Sequence, residues 1–277
     1  MRGCTPHARL FAGACALVVL VGCGSADDAA PTPPATGTRP TATMRPVPLP
    51  DLSRLADSVR DQVRDRHAAL MRAIERGDTP PGDLGDVYGD TGLILMAAEY
   101  PEAASAAFLN AMALKPDDPH WPYYLGHLHR LRGEAVQAAG FFERAVVLQP
   151  TDLPTLVWLG RAYLDQGRTE EAESVFARAL PGSVAALAGV GRAALAAGDY
   201  ARAVDHLERA LAAEPRALSL HYPLAMSYRG LGHPGRADAH LQRRSGGEPT
   251  LPDPLMDAYR RVLESPLAFE VRGVEAY

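Results

Sequence analysis

The middle of the chain alternates small and bulky apolar residues with a period close to 34 residues. A small residue recurs with spacings of 34, 34, 31 and 34 at Gly92, Gly126, Gly160, Gly191 and Ala225. Three further series keep the same spacings: alanines from Ala104, bulky residues from Phe108, and alanines from Ala111 that Arg244 interrupts. A fixed period of roughly 20–50 residues is typical of solenoids. The pattern therefore predicts five stacked units.

Each unit divides into two halves at a turn. Glycines mark the turns and prolines end the units, at Gly133, Gly167, Gly198 and Gly232, and at Pro116, Pro150, Pro215 and Pro249. Because glycine and proline delimit helices, we predict two antiparallel helices in each unit. The fold class is all-α, an α-solenoid of about five helix-turn-helix units. We place them at about 85–118, 119–152, 153–183, 184–217 and 218–251.

Both ends of a solenoid need a cap, because an open end exposes the core. Residues 51–76 form an amphipathic pattern, and we predict that 51–84 are a helix and loop over the first unit, with Ser53 as the N-cap. At the other end, residues 252–277 contain two apolar helical segments separated by Ser265-Pro266. We predict that both cap the last unit.

These repeats resemble the tetratricopeptide repeat (TPR) over about residues 85–249. The best-matching unit has Leu156-x2-Leu159-Gly160-x2-Tyr163, followed by Ala172-x3-Phe176 and Ala179, as in the signature of that family. Three departures predict local changes. Unit three is short and has Pro181-Gly182 near its end. In unit one, Glu99 replaces a turn glycine. In unit five, Arg244 and the following Ser-Gly-Gly predict a frayed last helix.

The N-terminus has the pattern of an export signal. Arg2 and Arg9 precede an apolar run from Leu10 to Val21, which is shorter than the ~20 residues of a membrane-spanning helix. The run ends in Leu20-Val21-Gly22-Cys23, which resembles the lipobox of bacterial lipoproteins. The resemblance implies removal of residues 1–22 and acylation of Cys23. The alternatives are an ordinary signal peptide with an incidental cysteine, or an unprocessed cytosolic protein.

The residues after Cys23 bear on location and reach. Gly24 stands where an aspartate usually retains Gram-negative lipoproteins at the inner membrane, which implies an outer-membrane lipoprotein facing the periplasm. In a cell without an outer membrane, the protein would be anchored in the cell membrane. Residues 26–50 contain seven prolines and five threonines, so we predict that 23–50 form a flexible tether reaching roughly 75 Å.

Composition excludes several other classes of protein. The net charge of −5 argues against a nucleic-acid-binding surface. The three cysteines, Cys4, Cys15 and Cys23, all precede residue 24, so the body has no disulfide framework and no cysteine metal site. The 48 alanines favour closely packed helices. Lys115 is the only lysine, and no P-loop is present.

Two local patterns carry possible chemistry. Gly189-x-Gly191-x-x-Ala194 fits a dinucleotide fingerprint, but that fingerprint follows a strand, and Gly191 belongs to the repeat series. His120, His127 and His129 are close in sequence, yet His127 and His129 point about 200° apart on a helix. We therefore predict no metal, no cofactor and no catalytic residue.

The resemblance implies a concave groove lined by the first helix of each unit. The residues it places there are His120, Tyr123, His127, Arg130, Arg161, Arg192, Tyr222, Met226 and Arg229. Arginine and tyrosine are common interface anchors, and arginine binds carboxylates in a forked geometry. We predict that this groove binds a peptide or protein with acidic groups. The alternative is a solvated surface on a scaffold that makes its contacts elsewhere.

Together these features predict a membrane-anchored TPR lipoprotein that acts as a scaffold or adaptor in the bacterial cell envelope. Its partners would be an acidic protein or peptide and the lipid bilayer, reached through acylated Cys23. Two alternatives stay open. One is a non-catalytic accessory subunit of an envelope enzyme or redox complex, and the other is a periplasmic enzyme whose site has no recognised motif.

Overall fold

The computed structural model describes residues 44–263, which contain twelve α-helices, two short 3-10 helices and no strand. The α-helices are α1 Asp57–Arg76, α2 Pro81–Ala97, α3 Pro101–Leu114, α4 His120–Leu131, α5 Ala135–Leu148, α6 Leu153–Asp165, α7 Thr169–Ala179, α8 Val184–Ala196, α9 Tyr200–Ala213, α10 His221–Gly230, α11 Pro234–Leu241 and α12 Pro254–Leu263. The 3-10 helices are Leu180–Gly182 and Leu218–Leu220.

Ten of these helices form five consecutive hairpins. The pairs are α2 with α3, α4 with α5, α6 with α7, α8 with α9, and α10 with α11, and each pair also packs on the next. Helix α1 packs on α2 at the N-terminal end. The predicted all-α solenoid of five units is confirmed.

The small-residue series lie where two helices of one unit touch. A Cβ placed on Gly126 would lie 2.6 Å from the ring of Phe142, and one on Gly160 would lie 2.6 Å from the ring of Phe176. The alanine series that starts at Ala104 is buried in all five units. Gly191 follows the same rule against Leu207 and lies inside α8, so the fingerprint-like segment at 189–194 is part of the helical repeat.

The three sequence departures have local structural consequences. Glu99 takes the turn-glycine conformation with φ 63°, although few residues other than glycine adopt it. Helix α7 ends at Ala179, and Pro181-Gly182 form a 3-10 turn. Helix α11 has only 8 residues. The shortened third unit and the frayed last helix are therefore as predicted.

The first helix begins later than predicted. Helix α1 starts at Asp57 and has no side-chain cap, so the prediction of Ser53 as N-cap is wrong. The Ser53 hydroxyl and backbone N–H instead bond to the Asp51 carboxylate. This local turn satisfies Ser53 four residues before the helix, and it shortens the predicted helical segment.

The last part of the predicted tether is packed on the repeats. The Asn110 side chain accepts a hydrogen bond from the N–H of Arg45 and donates one to its carbonyl oxygen, both at 2.8 Å. His67 contacts the carbonyl oxygen of Val47 at 2.7 Å, and the Val47 side chain is buried. The prediction that residues 44–50 belong to a flexible tether is therefore wrong. Residues 23–43 lie outside the described part of the chain.

The C-terminal segment does not cap the last unit as predicted. Gly246 and Gly247 have positive φ and turn the chain back, and α12 then packs on α2, in the first unit. We call residues 246–263 the C-terminal arm. Its apolar residues pack on the core of the first units, which explains why α12 lies there: Leu251, Leu255, Met256, Tyr259 and Val262. The remaining predicted cap, 264–277, lies outside the described residues.

Within residues 44–263, none of the helices combines the length and the apolar character needed to cross a bilayer.

Candidate binding groove

Three arginines from successive first helices meet along one side of the solenoid. Arg130 of α4, Arg161 of α6 and Arg192 of α8 line a cleft of about 380 Å³ together with Trp158, Leu164, Asp165 and Glu248. We call the surface formed by α2, α4, α6 and α8, on which the C-terminal arm lies, the groove. Its first helices bring together side chains that are about 30 residues apart in sequence.

Trp158 is the centre of the arginine cluster. The guanidinium carbons of Arg130 and Arg161 lie 4.7 Å and 4.6 Å from the centre of its ring. Contacts of this kind are attractive because the face of an indole ring carries negative charge. Trp158 therefore holds two positive charges side by side in the groove.

Glu248 of the arm neutralises part of this charge. Its two carboxylate oxygens lie 3.0 Å and 2.8 Å from one Arg192 nitrogen, and Arg161 lies 3.7 Å away. Burial opposes ionisation of Glu248, but the charges of Arg192 and Arg161 outweigh it and hold the pKa of Glu248 below its usual value. Glu248 is therefore a carboxylate at neutral pH.

The arginines are held at an electrostatic cost. Burial lowers the pKa of Arg161, Glu248 acts against this, and the neighbouring charges of Arg192 and Arg130 lower it further. Burial also lowers the pKa of Arg130. Arginine keeps its proton in proteins, so the cluster stays positive and favours an anionic ligand.

Asp253 of the arm makes the second polar contact. Its carboxylate is buried and accepts hydrogen bonds from the Tyr123 hydroxyl and, at 3.1 Å, from Trp158 Nε1. Its other oxygen accepts the backbone N–H of Met256 at 3.0 Å and so caps α12. One side chain thus fixes the arm to the groove and also starts its helix.

Two tyrosines of α4 keep their protons in this environment. Burial, and then the charge of Asp253, raises the pKa of the Tyr123 hydroxyl. The same causes raise the pKa of Tyr124 to about 12, and the Tyr124 hydroxyl donates to the carbonyl oxygen of Leu255 at 3.2 Å. Both hydroxyls are therefore donors directed at the arm.

His127 lies beneath the cluster, where none of its surface is exposed. Its ring touches those of Tyr123, Phe142 and Trp158, with ring centres 4.6, 5.2 and 4.8 Å apart. Burial, followed by the charges of Arg130 and Arg161, holds the pKa of His127 well below its usual value. The predicted groove histidine is a neutral aromatic support for Trp158.

The structure brings only part of the predicted groove set together. Tyr123, His127, Arg130, Arg161 and Arg192 meet at the arm. His120 is instead paired with Asp118 at the start of α4, at 2.9 Å.

The predicted groove residues of unit five are separate from this cluster. Tyr222 is 54% exposed, Met226 packs on the core of units four and five, and Arg229 is exposed. None of the three has a hydrogen bond, ion pair or ring contact to the cluster in the described chain. Cys23, the predicted lipid-attachment site, lies outside the described residues.

Four residues of this contact were not predicted: Tyr124 and Trp158 in the groove, and Glu248 and Asp253 in the arm. Trp158 is one of only two tryptophans, a residue type enriched at interface hot spots, and this rarity was an available signal. Glu248 and Asp253 had no such signal, because their contacts cross more than 50 residues of sequence. In residues 44–263, no group of three or more histidines or acidic residues is arranged to hold a metal ion.

The fold and the groove define a helical-repeat protein with a basic and aromatic surface along its first helices. Sequence comparison assigns the class. One tetratricopeptide-repeat profile matches residues 129–183 and 194–253, and a second tetratricopeptide-repeat profile matches residues 90–152. Together they cover more than half of the chain, and the chain belongs to the tetratricopeptide-repeat family. A search of curated proteins found no match.

Solved structures share the fold at low sequence identity. A TPR protein from Parabacteroides merdae is 17% identical, covering 75% of this chain and 85% of that one, with a TM-score of 0.56. YrrB, described as having an unusual peptide-binding site, is 17% identical over 64% and 90%, with a TM-score of 0.53. The type IV pilus biogenesis factor PilW is 18% identical over 58% and 76%, with a TM-score of 0.52.

Proposed function

We propose that this protein is a lipid-anchored scaffold or adaptor of the bacterial cell envelope that binds an acidic protein segment in its groove. The family supports a binding role, since its repeats build extended surfaces for other chains. YrrB, with its peptide-binding site, and PilW, in pilus biogenesis, support it by analogy of fold.

One observation carries the binding proposal. Arg161 and Arg192 converge on a single carboxylate, that of Glu248, which belongs to an extended segment of chain. Charge-assisted contacts between arginine and carboxylate are among the stronger hydrogen bonds in proteins. The groove thus has the chemistry to hold an acidic peptide.

A capture experiment tests the role of the groove. The full-length protein is crosslinked and purified from its native membrane, as wild type and as the double variant Arg161→Glu and Arg192→Glu. We expect partner recovery to fall at least about tenfold, because each reversal replaces attraction by repulsion. Arg144→Glu is the control, since Arg144 is exposed on α5, away from the cluster. Equal recovery from all proteins would exclude the groove as the binding surface.

The anchor has its own test. Mass spectrometry of the N-terminal peptide is expected to find Cys23 as the first residue. More than one acyl group is expected on it, because a single acyl chain binds a membrane only weakly. Cys23→Ala should leave the protein in the soluble fraction, whereas Cys15→Ala should not. An unmodified Met1 in the purified protein would refute the lipoprotein assignment.

A further inference from the structure

The C-terminal arm crosses the groove as a bound peptide would. It begins where units four and five meet: the Gly247 carbonyl oxygen accepts the N–H of Ser219, in unit five, at 3.1 Å, and the Thr250 N–H donates to Glu214, in unit four, at 2.8 Å. It then places Glu248 on the arginines and Asp253 on α4 and α6. Its helix ends on unit one. The arm thus uses the side chains that the proposed function assigns to a partner.

The sequence of the arm is suited to this path. Glu248 is followed by prolines at 249, 252 and 254, which favour an extended backbone and remove N–H groups that would need partners. Pro254 follows the Asp253 cap, and proline is favoured at the first position of a helix. The segment is preorganised to run extended and then turn into a helix, which lowers the entropy lost on binding.

The polar contacts select this pattern with some precision. Arg161 and Arg192 require a carboxylate at the position of Glu248. Tyr123 and Trp158 each donate a hydrogen bond, and only a side chain with an acceptor at the position of Asp253 can accept both. Beyond this point the groove offers apolar surface, on which Leu255, Met256 and Tyr259 pack.

We propose that the partner is a protein segment with the same chemistry as the arm, and that it binds by displacing the arm. It carries a glutamate in an extended, proline-containing stretch, and five residues later an aspartate that starts an amphipathic helix. This proposal rests on the proposed function and names the partner of the same groove. The arm is an intramolecular competitor, so the groove binds a partner only in the fraction of molecules whose arm is released.

A peptide of residues 246–263, made with heavy isotopes, is the probe. Its binding is measured to full-length wild type, to Glu248→Lys and to Asp257→Lys by titration calorimetry. Glu248→Lys turns an ion pair with two arginines into repulsion. Asp257 is exposed, and within the described part of the chain its carboxylate pairs with Arg260 of its own helix. We expect Glu248→Lys to bind the peptide at least about tenfold more tightly than the other two proteins, because the released arm no longer competes. A peptide with lysine in place of the glutamate should bind none of them.

Equal affinities in the three proteins, or no binding to Glu248→Lys, would overturn the proposal. A second measurement covers the case in which Glu248→Lys folds poorly. Excess heavy peptide added to wild type should speed hydrogen exchange at the amides of Thr250 and Met256, and unchanged exchange at saturation would equally overturn the proposal. Light scattering is expected to show that the wild-type protein is a monomer. A wild-type dimer that dissociates on the substitution Glu248→Lys would mean that two copies exchange their arms. That result would overturn the proposal that the partner is another protein.

The outcomes separate this proposal from the function on which it rests. Arginine-dependent capture without peptide exchange would leave the groove function standing and remove the arm as competitor. Peptide exchange without arginine-dependent capture would remove the native partner and leave the arm as the occupant of the groove.

Discussion

Glycines at the helix crossings set the distance between the two helices of a unit. The ring of Phe176 occupies the space that a side chain on Gly160 would need, and that ring has no exposed surface. Interiors are close-packed and adjust little, so the fit at these positions is a property of individual atoms.

A methyl group at a crossing glycine should therefore destabilise the protein. Gly160→Ala is expected to lower the free energy of unfolding by about 1–3 kcal/mol, the usual cost of overpacking. The control is Gly140→Ala, where the new Cβ meets nothing within 4 Å, and here a gain of roughly 0.5–1 kcal/mol is expected. Urea unfolding measures both, and equal shifts would show that the crossing is not tightly packed.

A histidine pair in unit five gives stability a dependence on pH. The Nδ1 atoms of His221 and His240 lie 2.8 Å apart, so one Nδ1 donates a hydrogen bond and the other accepts it. The two side chains therefore cannot both be imidazolium cations while this bond is present. Burial and then Arg243 lower the pKa of His221, while burial and then His221 lower that of His240. The nearby Glu208 carboxylate opposes the shift of His240 without reversing it.

The sign follows from these lowered pKa values. Below about pH 6.5 the unfolded chain binds more protons than the folded one, so stability falls as the pH falls. Denaturant midpoints at pH 7.5 and 5.0 should differ in that direction, and His240→Gln should reduce the difference. Buried His127 acts in the same direction, so part of the difference is expected to remain. An unchanged difference in His240→Gln would contradict this role for the pair.

At the scale of elements, the N-terminal segment 44–50 is attached to the solenoid by one side chain in particular. Asn110 pairs with both backbone groups of Arg45, as a neighbouring strand would. Alternate prolines at 46, 48 and 50 border a second cleft with Tyr100, which directly precedes α3, and Ala106 of α3. A segment whose composition is typical of linkers is thus ordered by specific partners.

Asn110→Asp tests this attachment. An aspartate offers only acceptors and so meets the Arg45 carbonyl oxygen with repulsion, and we expect a loss of about 1–3 kcal/mol. The Arg45 amide should then exchange rapidly with solvent, while Ala113→Ser, at an exposed position of the same helix, should leave it protected. Continued protection of Arg45 in Asn110→Asp would show that other contacts hold the segment.

The hairpins were predictable from sequence because their signals are local and periodic. The positions of Gly126 and Phe142 recur in phase along the repeats. In units one to four the glycine and the bulky residue meet within their own hairpin. The position of α12 was not predictable on this basis. Its apolar residues, such as Leu255 and Tyr259, show that one face is buried but not which surface covers it. Glu248 and Asp253 contact residues of other units, so no local pattern in the sequence indicates their partners.

At the scale of the whole molecule, the arm links units that the repeat architecture leaves apart. Stability in a solenoid is passed between neighbouring units, and among residues 44–263 unit five packs on one other unit, unit four. Glu248 and Asp253 return the chain from that end to units two to four, and α12 returns it to unit one. The arm thereby connects the last unit to the units that precede it.

Loss of the arm should therefore act mainly on the last unit. In Glu248→Lys, the amides of α10 and α11 are expected to exchange faster, by several-fold, while those of α4 and α5 change little. Native-state hydrogen exchange measures this profile residue by residue. A uniform change across all five units would instead indicate that the whole solenoid opens as one cooperative body.

The arm also divides folding into early and late steps. Contacts within a hairpin, such as that between Gly126 and Phe142, close short loops and form quickly, whereas the bond between Tyr123 and Asp253 joins residues 130 positions apart. Contacts at such separations are slow to form because the chain must first lose the entropy of a long loop. The five hairpins can assemble in sequence, and the arm closes over them as the final step of folding.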